Sequence, residues 1–132
     1  MTDENSAGRG IRVTRLYADA EGVSHFADVE LATEPAAFAP PAPPVDVTEP
    51  RPASRTLFLR MPAGWFGEPH PVPAEQLMIL LAGRAEVRTG DGETRVFGAG
   101  DAVLAQDTTG AGHVTRALGE PGEEVVIAVT QY

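Results

Sequence analysis

The sequence predicts an all-β sandwich or barrel, and three observations carry that expectation. No window repeats its apolar residues with the 3.6-residue period of an amphipathic helix. Short runs of β-branched and aliphatic residues, such as RTLFLRM at 55–61 and EVVIAVT at 124–130, alternate with glycine and proline turns. One of those turns, Gly90-Asp91-Gly92, carries the chemistry of a tight hairpin, because glycine reaches the left-handed conformations such a turn needs.

In chain order, residues 1–9 are polar and read as a loosely attached tail, followed by one domain over 10–132. That length suffices for a single core. Ile11–Tyr17 and Gly22–Leu31 predict the first two strands, joined by a turn at Asp19–Gly22. Residues 34–53 form a proline-rich strap: eleven of the twelve prolines lie between Pro35 and Pro73, and proline neither donates to a ladder nor continues a helix. Strands follow at Arg55–Met61, Gln76–Ala82, Arg84–Thr89, Glu93–Phe97, Ala102–Gln106, Val114–Leu118 and Glu124–Thr130. The Gln76–Ala82 run is apolar on both alternating faces, which predicts a strand buried on both sides or lying at a subunit interface. The latter implies a homodimer.

Composition excludes several chemistries. The formal net charge of −9 argues against nucleic acid or an anionic membrane as partner, since both require a basic face. There is no cysteine, so disulfides, thiolate nucleophiles and Cys-ligated zinc are out. All ten basic residues are arginine, which removes Schiff-base chemistry on a lysine. The N-terminal stretch lacks an apolar segment of the kind a signal peptide or membrane span needs, so the expected setting is the cytoplasm.

The stretch from Gly64 to Gly83 concentrates the candidate chemistry. If the chain is extended from His70 onward, His70, Val72, Gln76, Met78 and Leu80 share one face, because alternate strand residues do so. Polar groups at the mouth of an apolar face predict a small-molecule pocket, with Trp65 beside it as lid or wall. His113 sits among glycines at another strand entrance and is expected at the same mouth. The remaining histidine, His25, lies mid-strand beside Phe26 and reads either as a structural histidine or as a third pocket group. Glu75 is out of phase with Gln76 and should point away, whereas Asp107 belongs to a polar loop near His113.

These residues resemble the motifs of small single-domain bacterial cupins. The first motif reads Gly64, five residues, His70-Pro71-Val72, three residues, Gln76, six residues, Gly83, and its spacing holds throughout. The second is represented by Gly100-Asp101 and Gly110-Ala111-Gly112-His113, with Gln106 in place of the usual proline and Ala117 in place of the usual asparagine. The resemblance covers residues 11–132 and implies a double-stranded β-helix, or jelly-roll barrel. It also implies a divalent metal (zinc, nickel, iron or manganese) held by His70, Gln76 and His113, with Val72 standing where the family has another histidine and Gln76 where it has a glutamate. A pocket that works without metal is the alternative.

Three functions follow as expectations. The first is an isomerase, cyclase or lyase that acts on a small oxygenated molecule without an organic cofactor. In it His70 and His113 serve as acid and base, or hold a Lewis-acid metal, and Trp65, Val72, Gln76, Met78 and Leu80 bind substrate. The second is a metal-dependent dioxygenase. The third is a binding module without turnover.

Overall fold

The computed structural model describes residues 10–132, and the expected tail at 1–9 lies outside them. Every regular element among the described residues is a strand, so no described helix is long and apolar enough to cross a membrane. Twelve strands run in order: β1 Ile11–Ala18, β2 Ser24–Leu31, β3 Thr33–Ala36, β4 Val45–Thr48, β5 Arg55–Pro62, β6 Phe66–His70, β7 Gln76–Ala82, β8 Arg84–Arg88, β9 Thr94–Gly98, β10 Ala102–Ala105, β11 His113–Ala117 and β12 Glu124–Gln131.

A six-stranded sheet carries the order β2-β1-β10-β7-β12-β5, and a four-stranded sheet the order β6-β11-β8-β9. All pairings are antiparallel except β1 with β10. The core lies between the two sheets. It draws Leu16, Leu80, Val103, Val125, Ile127 and Val129 from one and Ala85, Phe97 and Ala117 from the other. Phe26 and Phe97, one from each sheet, meet edge to face with ring centroids 5.9 Å apart, a geometry that suits the aromatic quadrupole. This is the all-β jelly-roll barrel that the motif resemblance implies.

The structure corrects three expectations. Part of the strap, expected to be without ladder, forms a two-stranded hairpin in which β3 pairs with β4 and Pro35 opposes Asp46. Among the described residues each of the two strands pairs only with the other, and an edge position tolerates the N–H that Pro35 lacks. Next, the chain is not one continuous strand from His70 to Leu80. His70 ends β6 in the smaller sheet and Gln76 opens β7 in the larger one, so the prolines at 71 and 73 mark a crossing between sheets. Finally, β7 is not buried on both faces in the described chain. Ile79 and Leu81 are 37% and 50% exposed, and Phe58 on the same outer row is 70% exposed.

Candidate functional site

Between the two sheets lies a half-open cavity of about 240 Å³ lined mainly by Leu57, Leu59, Met61, Met78, Ile127 and Val129, with His70, His113, Gln76 and Gln131 among its polar members. The size and the mostly apolar wall suit a small organic ligand held by a few placed polar groups.

The ladder registers explain how these residues meet. On the smaller sheet, His113 of β11 lies directly opposite His70 of β6, which places both side chains on one face. Their ring centroids are 5.0 Å apart. Gly112 permits this approach. Its φ is +76°, and a Cβ at that position would collide with the His70 carbonyl, so only glycine brings the start of β11 against the end of β6.

Each imidazole is fixed through Nδ1. His113 Nδ1 is 2.6 Å from Asp107 Oδ2, in a pair where Asp107 is fully buried and His113 nearly so. His70 Nδ1 is 2.6 Å from the Glu68 carbonyl oxygen. A carbonyl only accepts, so His70 carries its proton on Nδ1 when neutral, and its Nε2 lone pair is left for the cavity. The Asp107 carboxylate holds His113 in the same tautomer. The backbone N–H of Val72 donates to the Asp107 carbonyl at 3.1 Å, anchoring the loop that carries the acid. Asp107 Oδ1 is buried without any hydrogen-bond partner among the described residues.

On the larger sheet, one row of the ladder carries Arg55 of β5, Gln131 of β12 and Gln76 of β7, each opposite the next. Arg55 Nε donates to Gln131 Oε1 at 2.6 Å, Gln131 Nε2 donates to Gln76 Oε1 at 2.9 Å, and Gln76 Nε2 reaches Met78 Sδ at 3.5 Å. The next row, Leu57, Val129 and Met78, is apolar.

The structure thus brings together His70, His113, Trp65, Val72, Gln76 and Met78 around one cavity. Leu80 is the exception. It shares the inward face of β7 but is 3% exposed in the core and does not line the cavity, because the facing sheet closes over it. His25 is remote from the cavity: it bridges Asp19 and Asp91. Glu75 points away, into an ion pair with Arg51 at 2.8 Å. Asp107, expected only as a polar loop residue near His113, is the acid bonded to it, whereas Arg55 and Gln131 complete the site without having been singled out. Gln131 carried a readable signal, since it continues the inward register of Val125, Ile127 and Val129.

The donor set differs from the family's metal site. Among the described residues no three His, Cys, Asp or Glu side chains cluster as a metal site. Val72 offers no donor atom, and the Gln76 oxygen already accepts from Gln131. Two imidazole nitrogens remain, fewer than the three protein ligands a catalytic zinc commonly keeps.

No family model and no curated protein matches the chain. Among solved structures it is similar to a Salmonella typhimurium LT2 protein described as ethanolamine utilization protein Q, at 18% identity over 95% of this chain and 98% of that one, with a TM-score of 0.46. It is similar also to the cupin domain of Schizosaccharomyces pombe Cnp3, at 15% identity over 96% of this chain and 86% of that one, with a TM-score of 0.41.

Proposed function

We propose that the cavity carries out proton transfer on a small carbonyl or hydroxyl compound, as an isomerase, cyclase or lyase without an organic cofactor. The observation that carries this reading is the facing pair of imidazoles, each tied at Nδ1 and each left with Nε2 for the cavity. In this reading His113 Nε2 takes a proton from carbon next to a carbonyl. The C–H electron pair becomes the new C=C bond, and the carbonyl π pair moves to oxygen. The Asp107 carboxylate stabilises the resulting imidazolium, and His70 in its protonated form delivers a proton to the oxygen. The mostly apolar walls leave few competing polar groups around the enolate, so the charge interactions with the two imidazoles count for more there.

The test is deuterium exchange into a panel of small ketones and hydroxyketones, followed by NMR. Enzyme-dependent exchange that His113→Ala and His70→Ala each reduce by about 10²- to 10⁴-fold supports the reading. Exchange left intact in both variants overturns it. Metal found in the purified protein, and lost together with activity in either variant, would replace acid–base chemistry with Lewis-acid chemistry. Dioxygen uptake by iron-loaded protein would select the dioxygenase instead.

The apolar lining favours a second reading, a binding module that releases its ligand unchanged. A ligand recovered from the cavity and stable to prolonged incubation with the protein would select it. We also propose a cytoplasmic homodimer. Phe58, Ala128 and Ile79 form one row on the outer face of the larger sheet, with Leu81 beside it, and covering them would remove exposed apolar surface. Light scattering at micromolar concentration should give twice the monomer mass, and a clean monomer there would sink the dimer.

A further inference from the structure

We infer that Arg55 and Gln131 are positioning residues that turn the Gln76 amide so that its NH₂ group faces the cavity, making this end a docking point for a ligand's oxygen acceptor, a carbonyl or an enolate, and not for a cation. The inference deepens the reading of this cavity as the substrate site and rests on it.

The direction of the relay follows from donor chemistry. A guanidinium has donors and no acceptor, so the atom of Gln131 that meets Arg55 must be its oxygen. The Gln131 NH₂ is therefore turned toward Gln76 and can only meet the Gln76 oxygen. That leaves the Gln76 NH₂ on the far side. One of its hydrogens approaches the Met78 thioether, a weak acceptor, and the other has no partner among the described residues. Gln76 and Gln131 are 6% and 7% exposed. Flipping either amide would set like groups against each other with little water to relieve them.

A second relay in the same molecule shows what is missing from the first. Arg15 Nε donates to Gln106 Oε1, and Gln106 Nε2 then donates to Glu75 Oε2 at 2.7 Å. There the arginine–glutamine pattern ends on a carboxylate, whose pKa is held below the usual range by Arg51 first and by Gln106 next. The relay through Gln131 ends on a thioether and the cavity instead. The acceptor that completes it belongs to the ligand. An N–H aimed at an oxygen that gains charge during enolisation would stabilise the charged form more than the neutral one.

The test uses zinc and cyclohexanone as probes and needs no turnover, so it fails separately from the acid–base reading. In zinc calorimetry, Gln76→Ala should leave the affinity of the wild type unchanged, because the amide oxygen is not a ligand. Gln76→Glu, which presents an acceptor, should raise the affinity about tenfold or more. Arg55→Met, which releases the relay, should also raise it, and Arg55→Lys, which keeps a donor-only cation, should restore the wild-type value. A tenfold loss of zinc affinity in Gln76→Ala would overturn the inference. In NMR, cyclohexanone should shift both the Met78 methyl and the Gln76 side-chain NH₂ signals. A shift at Met78 without one at the amide overturns the inference alone, whereas no shift at either group counts against the carbonyl reading of the cavity as well.

Discussion

His113 and His25 each lie within 2.7 Å of an aspartate, yet the two pairs have opposite prospects. His113 gives only Nδ1 to Asp107, is nearly buried, and keeps Nε2 for the cavity. His25 uses both nitrogens: Nε2 meets Asp19 at 2.7 Å and Nδ1 meets Asp91 at 3.0 Å, at the surface, where it ties the β1–β2 turn to the β8–β9 turn. Tyr17 stacks on its ring at 5.5 Å between centroids, and Arg15 lies over Tyr17. The histidine–carboxylate contact by itself therefore says nothing about chemistry. What separates the two is whether a ring nitrogen remains free and whether a mostly apolar cavity lies in front of it.

The largest effect should come from the cavity side. His113→Ala is expected to lower kcat by about 10²- to 10⁴-fold in the exchange assay while the circular dichroism spectrum stays that of the wild type. A comparable loss in His25→Ala, without unfolding, would break the contrast. Asp107→Asn comes next. Its amide can turn an NH₂ toward Nδ1, which moves the ring proton to Nε2 and removes the base. A loss of roughly 10²-fold is expected, and an unchanged pH–rate profile would show that Asp107 does not set the tautomer.

On the surface side the effects are smaller and depend on pH. The Asp19 hydrogen bond is the main cause of a raised His25 pKa, with the Asp91 hydrogen bond helping, and the same contacts lower the pKa values of Asp19 and Asp91. A raised histidine pKa stabilises the fold fully below the unfolded value near 6.5 and loses that stabilisation as pH rises through the folded value. The lowered aspartates contribute above their unfolded value of 3.8 and lose it in more acidic solution. The bridge is thus strongest between those limits. His25→Gln should lower Tm most near pH ~5.5, between the two unfolded values, and progressively less as pH rises through the raised folded value of the histidine. A Tm difference that stays constant across that range would remove the charged bridge from the account.

The smallest effect distinguishes the two partners of His25. Asp19→Asn should lower the His25 pKa more than Asp91→Asn, when each is followed by NMR titration, because the Asp19 contact is the shorter and the stronger cause. The reverse order would put the anchor in the β8–β9 turn.

Much of the architecture was legible in the chain. The apolar alternation at 124–130 and the Gly90-Asp91-Gly92 turn correspond to β12 and to the β8–β9 hairpin. The spacing from Gly64 to Gly83 singled out His70 and Gln76, and the glycine cluster before His113 singled out the second histidine. Strand β6 was not legible, since FGEPH has neither alternation nor a β-branched residue, and it is held by its partner β11. Leu80 shows the limit of parity. Its direction was right, but depth along the strand decides between cavity wall and core, and depth depends on where the facing sheet closes.

What the sequence determined by itself is local: which residues alternate inward, which turns are possible, and which chemistries are absent because cysteine and lysine are absent. The tertiary structure alone decided the partners. Asp107 became the acid behind His113 across a separation of six residues, whereas Arg55, Gln131 and Gln76 were joined across separations of 76 and 55 residues. The physical reason is that strand parity repeats every two residues whatever lies alongside, but a hydrogen bond between side chains requires two particular strands to be neighbours in one particular register. Register is set by the whole sheet closing over its core, so the direction of the Gln76 amide is a property of the fold and not of its own stretch of chain.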